Sequence, residues 1–118
     1  MKTNKELKEA YGLIKFKIGV FQIRNKINEK IYIDSSVNLD KIWNRYLSEL
    51  RCGGHRNLLL QSEWNEFGEE NFKYEILSEI RQTQGEQIDY TKEAKQLAKM
   101  FIEELKPFDD KGYNKKTG

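Results

Sequence analysis

Between Lys15 and Ile33 the residue pattern is that of a β-hairpin, and that restricts what the chain can become. Lys15-Phe16-Lys17-Ile18-Gly19-Val20-Phe21-Gln22-Ile23 reads as one strand and Lys30-Ile31-Tyr32-Ile33 as its return. Asn25-Lys26-Ile27-Asn28-Glu29 between them is polar and rich in residues that suit turns. Pairing of the two strands brings Phe21 and Tyr32 close together on one sheet.

The remaining chain supplies elements that can flank such a sheet. Thr3 to Tyr11 reads as a short amphipathic helix, with Leu7, Ala10 and Tyr11 at helical spacing and Gly12 at its end. Ser35, Ser36 and Asn38 offer cap-type side chains to a helix from about Leu39 to Arg51, on which Leu39, Ile42, Trp43, Tyr46, Leu47 and Leu50 form a stripe. Cys52-Gly53-Gly54 breaks it. Asn57 caps a second helix, Leu58 to Phe67, which Gly68 ends. Asn71 to Leu77 alternates as a third strand. After a polar loop from Arg81 to about Gly85, a last helix carries Ala94, Leu97, Ala98, Phe101, Ile102 and Leu105 on one face and stops before Pro107. The expected class is α+β: a small antiparallel three-stranded sheet flanked by helices, with an extra helix at the N-terminus. Trp43, Trp64 and most other aromatics belong to its core.

At 118 residues the chain builds one core. Hydrophobic residues make up 37% and charged residues 34%, a balance that suits a folded, highly charged domain. No apolar run approaches the ~18 residues of a membrane span, and Met1-Lys2-Thr3-Asn4-Lys5-Glu6 lacks the apolar segment of a secretory signal. Cys52 is the sole cysteine, which excludes an internal disulfide and a cysteine-rich zinc site and suits a reducing cytoplasm. No helix-opening, Gly-rich phosphate loop speaks for a nucleotide site. Charge is uneven: residues 15–56 hold nine Lys and Arg against four acids, and residues 57–118 hold nine against thirteen. The basic part points to nucleic acid, held by Lys17, Arg24, Lys26, Lys30, Lys41, Arg45 and Arg51, and the acidic part to a protein partner.

Gly19-Val20-Phe21, ten residues, then Tyr32-Ile33-Asp34 resembles the paired signature of the GIY-YIG endonuclease superfamily. The likeness runs from about residue 17 to 114, through Ser35-Ser36-Val37-Asn38-Leu39, Trp43-Asn44-Arg45, Leu60 to Phe72, Phe101 to Leu105 and Gly112-Tyr113-Asn114. These look like the homing-endonuclease-like branch. The resemblance implies a family domain over residues 15–118, with residues 1–14 as an extension.

Family members cut phosphodiester bonds with a tyrosine of the first motif, an arginine on the first long helix and a metal-holding glutamate on the last. A histidine or tyrosine near the arginine and an asparagine near the end complete the set. Charge builds on the phosphoryl oxygens, so a fixed cation and a metal must meet it. Carried over, the resemblance keeps Tyr32, Tyr46, His55 and Asn114. It loses the tyrosine to Phe21, the closing glycine to Asp34, the arginine to Ile42 and the glutamate to Ala98. Phenylalanine moves no proton, isoleucine compensates no charge and alanine binds no cation. Asp34 in the cleft is expected to repel a phosphate.

The expectation is therefore a degenerate nuclease-like domain that binds nucleic acid or a protein, with no cofactor and no metal. The resemblance to that branch suggests an origin in a phage or mobile element, and with it an inhibitor or accessory factor. The alternative is a working Mg²⁺-dependent endonuclease in which Arg45 and one of Glu93, Glu103 or Glu104 stand in for the missing groups. His55 is expected to cap its loop or face solvent, Asn114 to fix the C-terminal turn, and Cys52 to be small and partly buried.

Overall fold

The computed structural model describes residues 16–82 and 88–116. The expected N-terminal helix and part of the loop before the last helix lie outside these. Three strands form an antiparallel sheet in the order β2-β1-β3: β1 is Gly19–Asn25, β2 Ile31–Ser36 and β3 Phe72–Glu79. Three helices accompany it, α1 Leu39–Cys52, α2 Leu58–Phe67 and α3 Tyr90–Leu105. The α+β expectation holds.

Among the boundaries that differ from the sequence reading, two matter for the site. β1 starts at Gly19 rather than Lys15, and β2 runs on to Ser36 because Asp34, Ser35 and Ser36 pair with Phe21, Val20 and Gly19. Asp34 is thus a strand residue with a fixed direction. Gly19 sits where β1 and β3 approach most closely, beside a register shift, and a Cβ there would run into the Ser78 carbonyl oxygen.

Alternation along β1 sorts the core into two layers. Phe21 and Ile23 face α1 and α2, joining Tyr32, Leu39, Tyr46, Leu50, Leu60 and Trp64. Val20 points the other way and meets Ile33 and Ala98 of α3. Asn38 caps α1 by accepting from the Lys41 N–H, and Asn57 caps α2 by accepting from the Leu60 N–H. Trp43 stacks on Tyr74 at 4.8 Å, so this tryptophan is committed to packing.

The chain after α3 returns along the free edge of β2. Gly112 bridges Ile31 in parallel, the Tyr113 N–H donates to the Ile31 carbonyl at 2.9 Å, and Asn114 brackets Ile33. Its Oδ1 accepts from the Ile33 N–H and its Nδ2 donates to the Ile33 carbonyl, both at 2.8 Å. The side chain thereby imitates one more strand residue. A Cβ on Gly112 would strike the Pro107 and Ile31 carbonyl oxygens, which explains the small residue there.

A buried carboxylate ties the hairpin turn to α2 and this tail. Glu63 Oε1 accepts from Asn28 Nδ2 at 2.6 Å, Tyr113 OH at 2.9 Å and Asn25 Nδ2 at 3.3 Å, and Oε2 accepts from Lys30 Nζ at 3.1 Å. Asn25 is fully buried and also donates to the Tyr113 hydroxyl. Burial pushes the Glu63 carboxyl upward, but the donors from Asn28, Lys30 and Tyr113 outweigh it and hold it below the usual carboxylate range.

Candidate functional site

Four side chains converge where β2 leaves the sheet. Asp34 Oδ2 accepts from Tyr46 OH at 2.8 Å, Arg56 Nη2 at 2.9 Å and Tyr32 OH at 3.4 Å. Its Oδ1 accepts from the Ser35 N–H at 2.8 Å. Oδ2 is thus fully occupied by protein donors, and Oδ1 keeps one acceptor position. Arg56 Nη2 also donates to the Tyr32 hydroxyl at 3.3 Å.

Asp34 is therefore not the bare repelling charge expected from sequence. Arg56 neutralises it.

Arg56 is held by its loop. The His55 N–H donates to Gln61 Oε1, Gln61 Nε2 donates to the Leu50 carbonyl and to Asn65, and the Asn57 N–H donates to His55 Nδ1. His55 is thus a buried loop cap, 2% exposed, rather than a solvent residue. Its ring meets Tyr46 edge-on at 4.6 Å and Tyr32 at 6.0 Å. Because Nδ1 accepts a bond, the neutral ring carries its proton on Nε2, the one buried side-chain polar atom among the described residues without a partner.

Both tyrosines resist ionisation. Burial raises Tyr32, and the charge of Asp34 adds to that while Arg56 opposes it. Tyr46 is pushed up further, by burial first and then by Tyr32 and Asp34. Neither phenol is a base near neutral pH. Burial lowers His55, which favours its neutral form.

That shift has a sign that can be tested. The unfolded chain takes up a proton at His55 near pH 6.5, whereas the folded chain resists it. Stability from this group is present above that pH and declines as pH falls through it. The melting temperature should drop between pH 7 and about 5.5, and His55→Gln should flatten that drop. An unchanged slope in the variant would remove the titration from His55. Glu49, Arg56 and Asp34 are the charged groups acting on the ring.

Four of the basic residues expected to meet nucleic acid lie beside acids. Arg24 pairs with Glu75 at 2.8 Å and Glu29 at 3.3 Å, Lys30 with Glu63, and Arg51 with Glu69 at 2.7 Å. Arg45 lies 3.6 Å from Glu49. Acids several residues or more away in sequence reach these cations, a feature that charge counting along the chain does not register. Lys17, Lys26 and Lys41 are exposed. Cys52 is exposed as well, contrary to its expected partial burial, because it closes the last turn of α1.

Two cavities flank Arg56. One, of about 360 Å³, is lined by Tyr32, Arg56, Asn57, Asn114 and Lys115. The other, of about 210 Å³, lies by Asp34, Ser35, Ile42, Arg45, Glu49 and Lys95. Sequence reasoning singled out neither Arg56, Lys95 nor Lys115. Arg56 adjoins the retained His55 and precedes a helix cap, the one local signal that pointed to it.

No family model matches the chain. Intron-associated endonuclease 1 of Enterobacteria phage T4 is 38% identical over 64 residues, which cover 54% of this chain and 26% of that protein. The match thus spans about a quarter of that relative. The catalytic domain of homing endonuclease I-TevI superposes with a TM-score of 0.70 at 30% identity, over 86% of this chain and all (100%) of that structure. A glutamate-to-alanine mutant of the same domain gives a TM-score of 0.69 at 31% identity, over 84% and 93%.

The chain belongs to the GIY-YIG endonuclease superfamily.

Within the GIY-YIG frame each replaced position has a definite setting. Phe21 is fully buried, with ring contacts to Tyr46 at 5.7 Å and Tyr74 at 5.2 Å. Ile42 is half-buried on the core face of α1 and borders the cleft. Ala98 is 5% exposed and packs with Val20 and Ile33, while Glu93, Glu103 and Glu104 on the same helix are exposed. Arg45, the expected stand-in for the helix arginine, is 69% exposed at the rim of the cleft, 3.6 Å from Glu49. Among the described residues no group of three or more His, Cys, Asp or Glu is placed to hold a metal ion. The donors present fit a divalent cation poorly: Asp34 Oδ2 is taken by three protein donors including the Arg56 cation, and Glu49, the other carboxylate of that cavity, lies 3.6 Å from Arg45.

Proposed function

We propose that this domain is a nuclease-fold module that binds nucleic acid without cleaving it. The Asp34 carboxylate, neutralised by Arg56 and bonded by both tyrosines, carries the reading. Tyr46, Tyr32, Arg56 and the Ser35 amide occupy it, so this acid of the cleft holds protein groups together rather than a cation. The two tyrosines, shifted toward their neutral forms, supply no base, and Ala98 supplies no ligand. Losing both the phosphate cation on α1 and the metal ligand on α3 removes more than the ~10²–10³ typical of one transition-state donor.

Nucleic acid rather than a protein partner is favoured by the charge around the cleft. Arg45, Arg56, Lys95 and Lys115 stand against Asp34 and Glu49, a surplus of two positive charges at a concave surface. The name of the T4 relative, an intron-associated endonuclease, is consistent with a nucleic-acid ligand. An accessory or inhibitory role in a phage or mobile element fits a domain that occupies nucleic acid and leaves it intact.

Fluorescence anisotropy with a labelled duplex tests this. Affinity should fall about tenfold or more between roughly 50 and 200 mM salt, as release of counterions from two or three phosphates requires. Absence of any salt-sensitive binding, to duplex or single strand, would overturn the nucleic-acid reading and favour a protein partner.

A further inference from the structure

Arg56 is 73% exposed and spends one nitrogen, Nη2, on both Asp34 and Tyr32. Among the described residues its Nη1 and Nε make no hydrogen bond. A guanidinium has five N–H donors in a fixed fork, so most of this one faces outward. The group stands between the two cavities and lines both. Each cavity holds a further cation, Lys115 on one side and Lys95 with Arg45 on the other.

Asn57 Oδ1 accepts from the Leu60 N–H and its Nδ2 donates to the Tyr113 carbonyl. Asn114 Oδ1 accepts from the Ile33 N–H and its Nδ2 donates to the Ile33 carbonyl. Tyr32 and Tyr46 donate to Asp34. Each amide keeps one further N–H, so a ligand here meets mainly charge, with those N–H groups and the Ser35 hydroxyl beside it. Cations at a concave surface suit the phosphates of a nucleic-acid backbone.

From this arrangement we infer that Arg56 is the domain's phosphate clamp, gripping the phosphodiester backbone together with Lys115 and Lys95. The inference rests on the nucleic-acid reading above and adds to it the residue and the group it grips. Asp34 serves as a positioning residue: it pins Nη2 and so aims Nη1 and Nε outward. The loop between α1 and α2, not α1 itself, delivers this cation.

The test compares wild type with Arg56→Gln, Arg56→Lys, Lys115→Gln, Lys95→Gln and Lys73→Gln on two duplexes of unrelated sequence, across a salt series. Arg56→Gln should weaken binding about tenfold at low salt and reduce the slope of log affinity against log salt by about 1. Arg56→Lys keeps the charge and should keep the slope. Lys115→Gln and Lys95→Gln should each reduce it, while Lys73→Gln, exposed on β3, should leave it alone. The loss in Arg56→Gln should agree within about twofold on the two duplexes, because a phosphate contact carries no sequence information. If wild type binds with normal salt dependence and Arg56→Gln matches it, this inference falls and the function reading stands. If Lys73→Gln loses as much as Arg56→Gln, or Arg56→Gln weakens one duplex about a hundredfold more than the other, the clamp is likewise overturned. If wild type does not bind at all, the function reading itself fails.

Discussion

Glu63→Ala should cost the fold about 3 kcal/mol or more and lower its melting temperature by upwards of about 10 °C. The substitution removes the common acceptor of Asn25, Asn28, Lys30 and Tyr113, and Asn25 and Tyr113 are buried. Each buried donor left without a partner costs roughly 1–3 kcal/mol, while Lys30 can turn to water. Against a total of about 5–15 kcal/mol this is severe. Glu63→Gln keeps the shape but confronts four donors with an amide, and should fall between wild type and alanine. The pH response separates charge from packing. The folded carboxyl lies below its ordinary value of 4.5, so its contribution is full above that pH and is lost as pH falls through the lower, folded value. The acid limb of the stability curve should therefore be shallower in either variant. Thermal melts from about pH 3 to 7 by circular dichroism give both results. A Glu63→Ala domain that melts with the wild type would show that the hairpin turn and the tail hold without this carboxylate.

Ala98→Glu introduces the glutamate that the resemblance would place here, and it should damage the protein rather than revive it. The alanine is 5% exposed between Val20 and Ile33, so a carboxylate there must be buried or must displace the chain around it. The cost should be roughly 3 kcal/mol, from overpacking and an unpaired polar group together. A divalent ion would have to offset that. Asp34 cannot join the introduced carboxylate as a ligand without giving up Arg56 and two hydroxyls, so Mg²⁺ or Mn²⁺ should raise the variant's melting temperature no more than the wild type's. Plasmid DNA should also stay intact. A rise of several degrees with Mn²⁺, confined to the variant, would mean that the cleft keeps a metal-binding geometry and lacks one side chain.

The sequence disclosed the fold through local features that tertiary packing did not override. Asn38, Asn57 and the Gly-Gly break bounded α1 and α2 within a residue, because caps act on the first turn of their own helix. The hairpin was legible in its alternation and its Asn-rich turn. The end of β2 was not, since Asp34-Ser35-Ser36 have no strand preference and extend only because β1 lies beside them. Half of the site was legible in the same way. Tyr32, Tyr46 and His55 do meet, in ring contacts of 4.6–6.2 Å. Arg56 was hidden, because its place between His55 and the Asn57 cap does not tell an arginine that folds onto a strand aspartate 22 residues earlier from one in solvent. For the same reason Arg24, Lys30 and Arg51 looked available for phosphates when acids distant in sequence already hold them.

Integrity of supercoiled plasmid, incubated with the purified domain and Mg²⁺ or Mn²⁺ beside a Tyr32→Phe control, bears most directly on whether this cleft grips without cutting. Wild type should leave the plasmid supercoiled at protein concentrations that saturate binding, and any trace of nicking should be equal in the control. Metal-dependent nicking by wild type that disappears in Tyr32→Phe would contradict the account.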